Sequence, residues 1–120
     1  FGRSHFAVSF YGANVFPEMV AVGLEQPEVS PHVTGKFVME VAADGDQGRE
    51  LRIAVELAEG VTAPAGLEEK VAAVIQASLL RLSSEFGAYT PGERQRPRIT
   101  LLPARDPGYF PVGVKHRYSR

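Results

Sequence analysis

The chain has 120 residues, 44% of them apolar and 22% charged, with a formal net charge of −1. That is one globular domain with one modest core, and its charge balance gives no ground for a nucleic-acid or anionic-membrane partner. There is no cysteine, which excludes disulfides and thiolate metal sites, and no apolar run approaches the roughly 20 residues that span a bilayer.

Residues Phe6 to Phe10 are largely apolar and aromatic and predict a short strand, and Gly12-Ala13-Asn14 predicts a turn, because Gly and Asn tolerate positive φ. A helix is expected next. Pro17 suits the first helical position, Glu18 favours the positive end of the helix dipole, Val20 and Leu24 share a face, and Pro27 closes the segment. Val33, Gly35, Phe37, Met39 and Val41 fall at every second position, with Lys36, Val38 and Glu40 between them. This is the pattern of a half-buried strand. A polar turn over residues 44–48 leads to a second alternating strand, with Leu51, Ile53, Val55 and Leu57 inward, and the two read as a hairpin.

Leu67, Val71, Val74, Ile75, Leu79, Leu82 and Phe86 follow the helical period, which predicts one helix of about five turns. Glu68 and Glu69 near its start and Arg81 near its end suit the dipole, and Gly87 is the expected stop. Thr90 to Pro97 reads as a loop, Arg98 to Leu102 as a strand with Ile99 and Leu101 inward, and residues 103–120 as a tail rich in Pro, Gly, aromatics and cations. The order strand, helix, strand, strand, helix, strand predicts an α+β, ferredoxin-like two-layer sandwich with two helices on one face of an antiparallel sheet.

By residue type alone the chemistry is sparse. His5, His32 and His116 are far apart and lack metal-ligand spacing. Glu25, Glu28, Glu68 and Glu69 read as solvated helix and loop faces.

Four stretches say more. Phe1-Gly2-Arg3-Ser4-His5 is followed by Tyr11-Gly12-Ala13-Asn14-Val15-Phe16-Pro17-Glu18, and later come Gln26-Pro27-Glu28-Val29-Ser30-Pro31-His32 and Pro111-Val112-Gly113-Val114-Lys115-His116-Arg117. Together these resemble the C-terminal domain of the acyl-adenylate-forming superfamily. The Asn-Val-Phe-Pro form points to the phenylacetate-CoA ligase branch, with coenzyme F390 synthetases among its relatives. The resemblance covers essentially the whole chain.

That resemblance implies that residues 1–120 are the lid of an AMP-forming acid-CoA ligase whose large N-terminal adenylation domain lies elsewhere in the polypeptide. The start at Phe1 without a methionine fits the expectation of a domain taken from a longer protein. Such enzymes join a carboxylic acid to ATP with Mg²⁺, releasing pyrophosphate, and then pass the acyl group from AMP to CoA. A phenylacetate, other aryl or small organic acid is the implied substrate, the cytoplasm the implied location, and the isolated domain is expected to fold without activity.

By the same resemblance, Arg3 lies near the nucleotide and His5 stands at the hinge, where the family often has Asp. Tyr11, Gly12, Ala13 and Asn14 match the loop lining the CoA channel. Lys115 is the implied adenylation lysine, although alignment on Gly113 puts Val114 at the family's lysine position. Either a small backbone shift restores Lys115, or the role is lost or falls to His116 or Arg117. Arg105, Lys115, Arg117 and Arg120 make this end locally basic and suited to phosphates. Two other readings share these features: a non-catalytic ferredoxin-like ligand-binding or interaction module, and an adenylating homologue that uses an acceptor other than CoA.

Overall fold

The computed structural model describes residues 7–43, 45 and 48–120. Arg3 and His5, expected at the nucleotide and the hinge, lie outside the described residues. The chain opens with a tight hairpin of β1 (Val8–Phe10) and β2 (Ala13–Val15), in which Phe10 faces Ala13 and Val8 faces Val15. The turn is therefore Tyr11–Gly12, and Ala13 and Asn14, expected within it, belong to β2. Alternation explains the difference: Ala13 and Val15 are buried with Asn14 exposed between them, which is the period of a strand.

Helix α1 (Pro17–Leu24) starts on Pro17 and buries Val20 and Leu24, as expected. Strand β3 (Val33–Ala43) pairs antiparallel with β4 (Arg49–Leu57), with an irregular register between Val33 and Phe37. Strand β5 (Arg98–Leu102) pairs with β4 in parallel, so the sheet is mixed where an antiparallel one was expected. The parallel step follows from the connection: two helices, α2 (Leu67–Leu82) and α3 (Ser84–Tyr89), intervene, and a long helical crossover returns the chain in the direction in which it left.

The five-turn helix is divided. Helix α2 (Leu67–Leu82) ends at Ser83, whose backbone is extended at φ −131° and ψ 107°, and α3 (Ser84–Tyr89) begins there. The Ser83 hydroxyl accepts from the Phe86 amide at 3.1 Å, capping α3. The break turns Phe86 into the core against Phe10, at 6.4 Å between ring centroids, and leaves Leu82 on the surface. Gly87, the expected stop, lies inside α3.

The main core joins Phe37, Met39, Leu51, Ile53 and Val55 of the sheet to Val20, Leu24, Val71, Ile75 and Leu79 of α1 and α2. Two helices thus cover one face of the sheet, in the expected α+β sandwich. Gly23 makes their close crossing possible: a Cβ there would stand 3.0 Å from Ile75 Cα and from the Val74 carbonyl oxygen. The Ser78 hydroxyl donates to the Met19 carbonyl at 2.6 Å across the same crossing.

The opposite face is also covered. Val38, expected on the outward face of a half-buried strand, is buried together with Ala54 of β4 and Phe110 from the tail. The tail then runs beside β3. The Met39 amide donates to the Tyr118 carbonyl and the Arg120 amide to the Met39 carbonyl, both at 2.8 Å, a parallel bridge centred on Ser119. The tail thereby occupies the sheet edge that β4 leaves open.

Candidate functional site

Strand β3 carries two clefts along its length. Phe37 lines one and Val41 the other. These two residues stand four positions apart, so they share a face of the strand and lie about 13 Å from each other.

The first cleft lies where the tail meets α1. It has a volume of about 640 Å³ and is bounded by Pro17, Glu18, Ala21, Phe37 and the run from Lys115 to Tyr118. Aromatic packing anchors the tail. The His116 ring stacks on Phe110 at 5.5 Å and meets Tyr118 edge-on at 4.5 Å, and its Nε2 lies 2.8 Å from the Phe37 carbonyl oxygen. Tyr118 in turn packs on Phe37 at 4.8 Å. His116 is therefore engaged by the fold, while its neighbour Lys115 is exposed. Lys115 and Arg117 also line a second opening of about 390 Å³ on the other side of the tail, and neither forms an ion pair among the described residues.

Ahead of Lys115 the chain is an open loop. Gly113 has φ of +86°, and Val112 and Val114 are 72% and 63% exposed. Both Val114 and Lys115 therefore stand outside the packed tail.

The expected basic patch is smaller than the count of cations suggested. Arg105 grips Glu59 with both guanidinium nitrogens, at 2.8 and 3.0 Å. The hydrogen bonds and charge of that guanidinium hold the Glu59 carboxyl below its ordinary range. Arg120 lies over the Tyr109 ring at 3.9 Å and donates to the Gly108 carbonyl. Both arginines are committed to holding the tail in place. The buried Glu56 fixes the base of the same segment, accepting from the Thr34 hydroxyl at 2.6 Å and the Arg105 amide at 2.7 Å. Lys115 and Arg117 are the cations left facing the cleft.

The second cleft surrounds the Tyr11–Gly12 turn. It has a volume of about 490 Å³ and is lined by Ser9, Tyr11, Gly12, Val41 and Arg49. Both turn residues have positive φ, 53° for Tyr11 and 85° for Gly12, the signature of a type I′ hairpin turn. Gly12 is exposed, so its backbone is open to a ligand, and Tyr89 flanks it within 3.8 Å of where a Cβ would stand. Of the four residues expected at a CoA channel, Tyr11 and Gly12 line the cleft, Asn14 is exposed, and Ala13 has its side chain fully buried. Sequence reasoning missed Arg49 and Tyr89. No local pattern marks them, because β4 and α3 reach the turn only through tertiary packing.

No group of three or more His, Cys, Asp or Glu side chains placed to hold a metal occurs among the described residues. No helix among them is long and apolar enough to cross a membrane.

No family model matches the sequence, and no curated protein matches it. By structure, the chain is similar to a domain of phenylacetate-coenzyme A ligase from Bacteroides vulgatus ATCC 8482. The similarity has a TM-score of 0.55 at 16% sequence identity and covers 95% of this chain and 90% of that one. At that identity it establishes the fold.

Proposed function

We propose that this chain is the C-terminal lid of an AMP-forming acid-CoA ligase of the phenylacetate-CoA ligase type. The observation that carries the reading is the shared fold, which runs across 95% of the chain. The sequence signature from Tyr11 to Pro17 and the glycine-lysine tail give independent support, since they fall at the two clefts.

Two clefts on one strand suit two half-reactions. In the first, the tail cleft faces the adenylation domain of the same polypeptide. Lys115 sets its ammonium against the acid carboxylate and the α-phosphate of ATP, where negative charge builds in the transition state. Packing of His116 and Tyr118 fixes the backbone from which Lys115 projects. The exposed Val112 and Val114 become covered by that domain, which excludes water from the reactive acyl-adenylate. In the second, the lid rotates at His5 and brings the Gly12 turn to the active centre. Glycine lets the backbone approach the thiol-bearing arm of CoA closely. Arg3 contacts the nucleotide. Mg²⁺ bound with ATP would offset phosphate charge, and no residue of this chain is assigned to hold it. An aryl or other small organic acid is the substrate class.

The test is pyrophosphate release by the full-length polypeptide with ATP, Mg²⁺ and a panel of aryl and short-chain acids, with and without CoA. Acid-dependent release with CoA-dependent thioester is the expected result. Release without thioester would move the assignment to an adenylating homologue with another acceptor. No release with any acid would favour a non-catalytic binding module. In the same protein, Lys115→Ala is expected to slow adenylation about a hundredfold. It should barely change thioester formation from a supplied acyl-adenylate. Equal slowing of both steps would remove Lys115 from this role.

A further inference from the structure

The turn at the second cleft is unusual in one residue. A type I′ turn favours Asn, Asp or Gly at its first position, because both central residues take positive φ. Here the first position is Tyr11 at φ 53°, a conformation uncommon for a bulky side chain. Such a residue persists only where its surroundings hold it.

The Tyr11 hydroxyl accepts from the Arg49 amide at 3.0 Å and lies 3.4 Å from the Arg49 carbonyl oxygen. Arg49 is the first residue of β4, paired with Ala43 at the end of β3. The Tyr11 ring packs edge-on against Phe10 at 4.8 Å, and Phe10 is fully buried. One phenol thus ties the small β1–β2 hairpin to the tip of the β3–β4 hairpin, 38 residues away.

We infer that Tyr11 is a positioning residue. Its hydroxyl clasps Arg49 and locks the turn so that the Gly12 backbone is presented to the thiol carrier at a fixed height above the sheet. This rests on the ligase reading and changes the part Tyr11 plays within it. Its polar end is committed to Arg49 and does not recognise the ligand; Gly12 is the residue that meets it. With Asn at this position the same φ would be relaxed, yet the turn would be free to swing relative to β4.

The experiment compares Tyr11→Phe and Tyr11→Asn in the full-length enzyme. Tyr11→Phe removes only the hydroxyl. Loss of one hydrogen bond is expected to raise the KM for CoA about fivefold. Acid-dependent pyrophosphate release should stay unchanged. Tyr11→Asn, which suits the turn but cannot reach Arg49, should raise the KM for CoA at least as much. A wild-type KM in either variant would overturn the inference, because turn conformation alone would then suffice. Equal slowing of both half-reactions would overturn it too, as a general loss of folding. Should the wild-type enzyme form no CoA thioester, the ligase reading fails by itself. The clasp is then read by amide exchange, which should quicken about fivefold at Arg49 in Tyr11→Phe. Unchanged exchange there would overturn the clasp.

Discussion

On one face of the three-stranded sheet, Phe37, Met39, Leu51, Ile53 and Val55 meet two helices in a large closed core. On the other, Val38, Ala54 and Phe110 form a small cluster closed by eighteen tail residues without a helix or a named strand. The helix face relies on many mutually supporting apolar contacts. The tail face relies on Phe110 stacked against His116, the buried Glu56 and a single strand bridge at Met39. The difference teaches where each kind of work is done. Face one makes the domain fold, and face two sets where Lys115 stands.

Substitutions on each face sharpen that contrast. Leu79→Ala, in the middle of the helix face, should cost about 2–5 kcal/mol of stability in denaturant unfolding, through lost burial and the cavity left behind. Phe110→Ala should cost about 3 kcal/mol, the low end for a buried phenylalanine, because the loop above it can settle into the space. Its more telling effect is local: the Met39 and Arg120 amides, which bond along the tail, should lose hydrogen-exchange protection before the helices do. If both variants unfold with the same loss and the same exchange pattern, the two faces are one cooperative unit and the division fails.

The smallest effect belongs to the Arg105–Glu59 pair that pins the tail. Arg105 lowers the Glu59 pKa from its ordinary 4.5. A depressed carboxylate contributes stability above the unfolded pKa and loses it as pH falls through the folded value. Glu59→Gln should therefore be slightly less stable than the wild type at neutral pH, with the difference shrinking below about pH 4.5. The pair is exposed, so a shift near the limit of measurement is expected. A difference that grows on acidification would contradict the assignment.

Much of the helix face could be read in advance. Period two placed Phe37, Met39 and the inward residues of β4, and the helical period placed Val71, Ile75 and Leu79. The expectation failed where a local pattern met a stronger tertiary demand. Leu82 continues the helical stripe, but Ser83 breaks it so that Phe86 can reach Phe10. Val38 and Ala54 alternate as outward residues, but the tail buries them. Arg105 and Arg120 counted as free cations until their partners, Glu59 and Tyr109, came beside them.

The candidate site divides in the same way. The motif around Gly12 and the glycine-lysine tail were legible as sequence, because turns and glycines leave local signatures. That Tyr11 reaches Arg49, that Tyr89 flanks Gly12, and that His116 is bound to Phe37 were not, because each contact joins residues far apart in the chain.

The sequence by itself determined α1, the β3–β4 hairpin, β5 and the helix-facing core, and marked two segments that come to line clefts, since periodicity and turn chemistry act between near neighbours. Tertiary structure decided the parallel placing of β5, the burial of the second sheet face and the setting of both clefts along β3. Those depend on which distant surfaces meet, and that is a property of packing.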